Sequence, residues 1–250
     1  MSRIRHTQRN SIRIYDIDLF DGHLIISEAG KTLLLDTGSP ISLADSPIFE
    51  FMGEEFHSQC IADGFDIHNI SEQLGKDIDV LVGIDVLEKF LLKTDYQRYI
   101  LDVDTEFNPN ETDGEAIHIK KSALGVFDLP LKVDGQTLDF ALDTGAKISY
   151  INSRMTSSES PIEERADFYP MFGFFTTPVF EKDVRIGDMH FSCLFGNLPG
   201  MIEMPLSMIG SDGIIGFDLF NNFKVTLDFK NTVIYLTPNA TDCRLTQQDR

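Results

Sequence analysis

The sequence predicts an all-β protein built as two related lobes, and three observations carry that prediction. An apolar run delivering Asp-Thr-Gly occurs twice, as Leu33-Leu34-Leu35-Asp36-Thr37-Gly38-Ser39 and as Phe140-Ala141-Leu142-Asp143-Thr144-Gly145-Ala146. A Gly-centred apolar element recurs as well. Asp79-Val80-Leu81-Val82-Gly83-Ile84-Asp85 leads to Phe90 and Asp95, and Asp212-Gly213-Ile214-Ile215-Gly216-Phe217-Asp218 leads to Phe223 and Asp228, at a constant offset of 133 positions. Around both copies apolar and polar residues alternate between turn residues, the pattern of hairpins. Self-similarity on this scale means two versions of one unit.

In chain order, Ser11–Leu19 alternates and reads as a half-buried strand. His23–Ser27 and Lys31–Leu35 form a hairpin turned at Glu28-Ala29-Gly30, which leaves Asp36 at a strand end. Ser39-Pro40 stops the turn, and Ile41-Ser42-Leu43 starts another apolar segment. Between Pro47 and Gly75 the pattern supports only short strands, around Cys60–Ile61 and Ile67–Ile70. Asp85-Val86-Leu87-Glu88 is a capping-box pattern that predicts a short helix through Phe90 or Leu91, and Asp218 starts its counterpart with Asn221 in place of Glu. Strands Gln97–Leu101 and Thr232–Leu236 complete the two copies.

Thr105–Glu115 is polar, aperiodic and holds Pro and Gly, so it reads as an interlobe linker. The expected division is a first lobe over 1–104, a linker over 105–114 and a second lobe over 115–250. In the second lobe Ile117–Lys120, Leu129–Val133 and Thr137–Leu142 repeat the approach to Asp143, with Asp134-Gly135 as the turn. The lobes differ in length: 47 residues separate Asp36 from Gly83 and 73 separate Asp143 from Gly216, about one extra hairpin. Within the excess, Asn152–Arg165 reads as a polar surface loop or helix and Phe168–Phe175 as an apolar turn around Gly173. Met201–Met208 is a second apolar loop, read as core filling in preference to a cleft wall or contact surface.

The paired loops resemble those of the aspartic proteases. The short units, ending in forms such as Ile214-Ile215-Gly216-Phe217-Asp218-Leu219-Phe220, resemble the retroviral, retropepsin-like type more than pepsin, and the likeness covers roughly residues 11–104 and 115–238. It implies a bilobal acid-protease fold of two pseudo-twofold-related retropepsin-like β-barrel lobes, with short helices after the Gly elements. It implies an endopeptidase acting on peptide or protein substrates, with Asp36 and Asp143 as its catalytic dyad. Both acids lie on one chain, so a monomer is expected. The chemistry is consistent with this: two carboxylates too close to ionise together leave one as a base for water and the other as an acid for the carbonyl oxygen.

The resemblance also assigns supporting roles. Thr37 and Thr144 would carry interlocking hydroxyl bonds between the lobes, Gly38 and Gly145 would let the loops approach, and Gly83 and Gly216 would let a strand pass behind each loop. In pepsin-like lobes a hydroxyl at the position of Ser39 bonds the catalytic carboxylate. Ala146 lacks it, so a higher pKa is expected for Asp143. An apolar hairpin called the flap closes over the substrate in this family. Tyr169, Met171, Phe172, Gly173 and Phe174 resemble it and are expected to bind substrate, favouring apolar residues on both sides of the cut, although an ordinary core hairpin fits the same residues. The rival reading is a catalytically idle peptide-binding or scaffold protein. A short first lobe with no flap, and the expectation that no prosegment precedes Ser11, keep it open.

Composition bounds the partners. A formal net charge of -19 argues against nucleic acid and anionic membranes. Phe 20 with Trp 0 places aromatic burial on phenylalanine. Cys60, Cys193 and Cys243 are odd in number and scattered, as expected of free thiols in a reducing compartment rather than of disulfides or a metal site. The six histidines fall into no ligand spacing, so neither metal nor cofactor is expected. Asp16, Asp18 and Asp21 interrupt any signal-like apolar region behind the basic start, and the chain reads as cytoplasmic.

Overall fold

Residues such as Ile, Val, Leu and Phe recurring at every second position produce strands with one buried face, and tight turns join them. The computed structural model describes residues 5–6, 12–59, 66–106, 113–170, 172–200, 202–203, 206 and 210–239, and it is mostly strand. The hairpins His23–Glu28/Lys31–Leu35 and Phe127–Val133/Gln136–Leu142 form as expected. Each turns on two residues of positive φ, Ala29 (50°) with Gly30 (80°) and Asp134 (48°) with Gly135 (82°), the geometry that matches strand twist. The second strand of each hairpin then gains a parallel neighbour from a Gly element: Lys31–Leu35 pairs with Val80–Val82, and Gln136–Leu142 with Gly213–Ile215. Both aspartates therefore leave a strand pinned on two sides.

Three large sheets result. The first half forms a five-stranded sheet in the order Asp18–Phe20, His23–Glu28, Lys31–Leu35, Val80–Val82, Leu43–Ala44. The second half forms an eight-stranded sheet in which Phe127–Val133 pairs with both Gln136–Leu142 and Gly173–Ile186, so that the pairings of six strands run in a closed circuit. A seven-stranded sheet unites the halves: Arg5–His6, Ile12–Asp16, Ile100–Asp104 and Leu91–Asp95 from the first, then Phe223–Asp228, Val233–Pro238 and Glu115–His118 from the second. At its centre Leu91–Asp95 runs antiparallel to Phe223–Asp228 with Lys93 opposite Thr226. These two residues hold the same place in the two sequence copies.

One hydrophobic cluster runs through both halves, from Leu35 and Leu92 to Leu142 and Leu227. Phe49, Phe51, Phe127, Phe140, Phe195, Phe220 and Phe223 are fully buried, each burial stabilising by about 1.5–3 kcal/mol. A smaller cluster of Ile25, Leu34, Leu43, Ile70 and Leu81 forms the wall of the first half beside Asp36.

Several expectations need correction. Ile67–Ile70 opens a helix, Ile67–Leu74, and not a strand: Ile67, Ile70 and Leu74 share its buried face, Asp66 caps its start by accepting from the Asn69 amide, and Gly75 ends it at φ 73°. A hairpin, Ile48–Phe51/Glu54–His57, precedes it unannounced, because its turn is Met52-Gly53 rather than a strong turn pair. The helix after Gly83 stops at Leu87, and Gly83 takes the N-cap position without a side-chain bond, because the Asp85 carboxylate is drawn to Ser42. Ser11–Leu19 splits into Ile12–Asp16 and Asp18–Phe20 in different sheets. The strand expected from Gln97 begins at Ile100, after a turn in which Tyr99 has φ 56°. Asn152–Arg165 holds a single 3-10 turn, Ser153–Met155, and then enters a strand at Glu163. Cys60–Ile61, most of the linker, Met171, Cys243 and most of Met201–Met208 lie outside the described residues. Among the described residues no helix is long and apolar enough to cross a membrane.

Candidate active site

Each Asp-Thr-Gly loop begins where its strand ends. The Asp36 amide donates to the Val82 carbonyl at 3.0 Å, and the Asp143 amide donates to that of Ile215 at the same distance. The two loops then lock. The Thr37 hydroxyl donates to the Leu142 carbonyl at 2.8 Å and accepts from the Thr144 amide at 3.0 Å; the Thr144 hydroxyl donates to the Leu35 carbonyl at 2.6 Å and accepts from the Thr37 amide at 3.1 Å. Both threonines are buried, so every bond of this reciprocal set is shielded from water.

The glycines explain how close the loops come. A Cβ on Gly38 would lie 2.3 Å from Cγ of Asp143, and one on Gly145 would lie 2.7 Å from Cγ of Asp36. Each glycine thus underlies the opposite carboxylate, and the two carboxyl groups interact directly. Behind them, a Cβ on Gly83 or on Gly216 would meet a loop carbonyl, of Ile41 or of Ala146, at 2.3 Å.

Two supporting hydroxyls were not foreseen. Ser42 accepts from the Gly83 amide at 2.9 Å and donates to Asp85 at 2.7 Å, and Ser149 accepts from the Gly216 amide at 3.1 Å. The signal was present, since Ile41-Ser42 and Ile148-Ser149 stand at the same distance after each Asp-Thr-Gly.

The Ser39 expectation fails in its atom. The Ser39 hydroxyl donates to the Ile41 carbonyl at 2.8 Å, and the group that reaches Asp36 is the Ser39 amide, at 2.9 Å, alongside that of Gly38 at 2.9 Å. Asp143 accepts the Gly145 amide at 2.7 Å, while the Ala146 amide turns to the Asp143 backbone carbonyl at 3.4 Å. Burial raises the pKa of both acids. Asp143 is held well above the usual carboxylate range by burial and then by the adjacent charge of Asp36; the two amides on Asp36 oppose its own rise. Asp36 thus accepts one amide more than Asp143.

The hairpin Glu163–Tyr169/Gly173–Ile186 covers the dyad. Its cleft-lining residues are Asp167, Phe168, Tyr169, Pro170 and Phe175, whereas Phe172 (47% exposed) and Phe174 (71%) face outward and Gly173 stays off the cleft, so of the five expected contacts Tyr169 lines it and Met171 lies outside the described residues. Phe168 and Phe174 pair directly across the hairpin and so leave it on one face, their rings 6.0 Å apart, while Asp167 and Phe175 pair on the other face. The tip reaches the first half, where Phe168 packs on the Ile25 cluster and stacks on His23, and the Pro170 carbonyl accepts from Gln73 at 3.4 Å. The space beneath is about 150 Å³, room for a benzene-sized group.

Further polar groups border this space. His23 Nδ1 lies 3.2 and 3.0 Å from the Phe20 and Asp21 carbonyls. Tyr150 donates its hydroxyl to Asp167, and both line the cleft. Among the described residues no cluster of His, Cys, Asp and Glu could hold a metal. No protein-family model matches the chain, and no curated protein matches it significantly.

Proposed function

We propose that the chain is an aspartic-type endopeptidase in which Asp36 and Asp143 work as one dyad. The observation that supports this above all is the reciprocal lock of Thr37 and Thr144, which sets two carboxylates against each other over opposed glycines. Equivalent positions of the repeat meet at two places, Thr37 with Thr144 and Lys93 with Thr226, as a pseudo-twofold axis through the dyad and the uniting sheet requires. Two retropepsin-like lobes, the second with its six-strand circuit as barrel, fit that axis.

The pair shares one proton in its working form. The ionised carboxylate takes a proton from water as the water oxygen attacks the substrate carbonyl, and the protonated partner gives its proton to the carbonyl oxygen. Collapse of the resulting diol breaks the C–N bond, with a proton passing to the leaving amine. Burial shifts this singly protonated window upward from the ordinary carboxylate range. The covering hairpin must lift from Gln73 and His23 to admit a peptide, then close to exclude water.

Hydrolysis of an unfolded protein such as casein by wild type and by Asp36→Asn tests the reading. Wild type should yield fragments at a specific activity independent of its own concentration. A wild type that binds peptides and cleaves none would favour the idle, peptide-binding alternative.

A further inference from the structure

The two walls beside the dyad differ in chemistry. On the first half the wall is aliphatic, with Leu34, Ile70 and Leu81 from one cluster. On the second half Ile214 holds the place equivalent to Leu81, but Tyr150 stands where Leu43 does in the repeat, and Asp167 lies beside it. Asp167 is 7% exposed and lines the same cavity as Asp36 and Asp143. Its carboxylate accepts from the Tyr150 hydroxyl and from the Phe168 amide at 2.8 Å, which leaves acceptor positions open. The nearest cation is Lys147, whose Nζ hydrogen-bonds Asp21 at 2.8 Å and stands 3.8 Å from Asp167, a longer ion pair that neutralises Asp167 only in part. His23 also faces the group, from the first half.

We infer that Asp167 and Tyr150 form a cation-accepting subsite on the second-half side of the cleft, which takes a lysine or arginine side chain of the substrate next to the cut bond. The inference rests on the peptidase reading and revises its expectation of apolar residues on both sides: one side is apolar, the other takes an apolar stem with a basic head. The stem would run along Phe175 and Leu198, and the head would meet a carboxylate whose charge is incompletely neutralised. Burial raises the pKa of Asp167 against the opposing pull of the Tyr150 hydroxyl, the Phe168 amide, Lys147 and His23, and a bound ammonium or guanidinium would favour the ionised form further. The chain's net charge of -19 draws basic segments toward it.

The test is binding rather than turnover. Three non-hydrolysable peptides with a hydroxyethylene core, carrying leucine on both sides or lysine on one side and leucine on the other in the two possible orders, are titrated against wild type by calorimetry at pH 7. One lysine isomer should bind at least about tenfold tighter than the dileucine peptide, a ratio within the range of charge-assisted hydrogen bonds. Asp167→Asn should bring that ratio to about one, and Lys147→Met, which removes the competing cation, should raise it. Because the readout is a ratio within each protein, general damage to the cleft cancels. Equal affinities, a preference that survives Asp167→Asn, or no binding of any peptide would overturn the subsite. Cleavage of the matching amide peptides is scored separately: lysine-selective binding without cleavage keeps the subsite and removes the peptidase, and cleavage without the selectivity does the reverse.

Discussion

The two Asp-Thr-Gly loops share their wiring and differ in their company. Strand pairing, threonine exchange, glycine contact and the serine behind each Gly element repeat in both copies, within a few tenths of an ångström where the bonds correspond. The surroundings diverge: Asp36 holds two amides and an aliphatic wall, Asp143 holds one amide and a wall with Tyr150 and Asp167, and the covering hairpin belongs to the second half alone, since the first half's hairpin Ile48–Phe51/Glu54–His57 buries Phe49, Phe51 and Phe56 in the main core. Geometry that both acids need is duplicated, and whatever distinguishes one acid or one side of a substrate is not.

The comparison breaks first on the acids. Asp36→Asn and Asp143→Asn should each reduce kcat/KM on casein peptides by at least about 10³-fold, because a dyad with one member is no dyad. A loss confined to one of them would mean that the loops are not partners. Next come Thr37→Val and Thr144→Val, each of which orphans a buried amide and a buried carbonyl and should cost about 2–4 kcal/mol in denaturant unfolding. Near-equal costs would confirm the reciprocity, and a large difference would mean one bond pair carries the lock.

Smaller effects sharpen the asymmetry. Ser42→Ala should cost about 1–3 kcal/mol, since it strips a donor from Asp85 as well as an acceptor from the Gly83 amide. Ser149→Ala should cost less, because its counterpart acid, Asp218, is served by the Leu194 amide at 3.1 Å. Asp143→Asn should also stabilise the fold with a definite pH sign. A carboxyl whose pKa is raised in the folded state favours folding less and less as pH rises through that value, so the variant's Tm should exceed wild type at pH 8 and converge with it near pH 4. Finally Ala146→Ser should leave the acid limb of the kcat/KM profile in place, because a hydroxyl there has the Ile148 carbonyl to bond, as Ser39 bonds Ile41. A shift to lower pH would show that the added hydroxyl reaches Asp143 instead.

What the sequence made legible was local and doubled: both loops, both Gly elements, both hairpins feeding them, and the threonines and glycines whose roles follow from loop approach. What it hid depends on choices among near neighbours. The Ser39 hydroxyl bonds the backbone carbonyl of Ile41, a choice of partner that residue identity does not reveal. Asp85 could cap its helix or bond Ser42, and a composition pattern does not rank the two. Which of Phe168, Phe174 and Phe175 reach the cleft depends on side-chain direction and on the contact of Phe168 with His23, neither of which a strand pattern gives. Asp167 offered no motif at all, because its meaning lies in Tyr150 and Lys147, which stand at least 17 residues away in sequence. The helix Ile67–Leu74 was readable and misread: Asp66, Gly75 and the 67/70/74 spacing were all present.

The ladder between Leu91–Asp95 and Phe223–Asp228 has an implication for how such a chain assembles. Cut after Asp104, the first half would keep Leu91–Asp95 paired with Ile100–Asp104 on one side and present its other side as a bare strand edge, the amides and carbonyls facing that way unpaired and Leu92 uncovered, an invitation to self-association. Since Lys93 faces its own counterpart in the intact chain, a second copy of the fragment could dock there in the same register and bring two copies of Asp36 together. The covalent tie holds the second half at an effective concentration on the order of millimolar. An encounter between separate molecules thereby becomes one step of a single chain's folding, and the partner strand is free to differ from the strand it replaces.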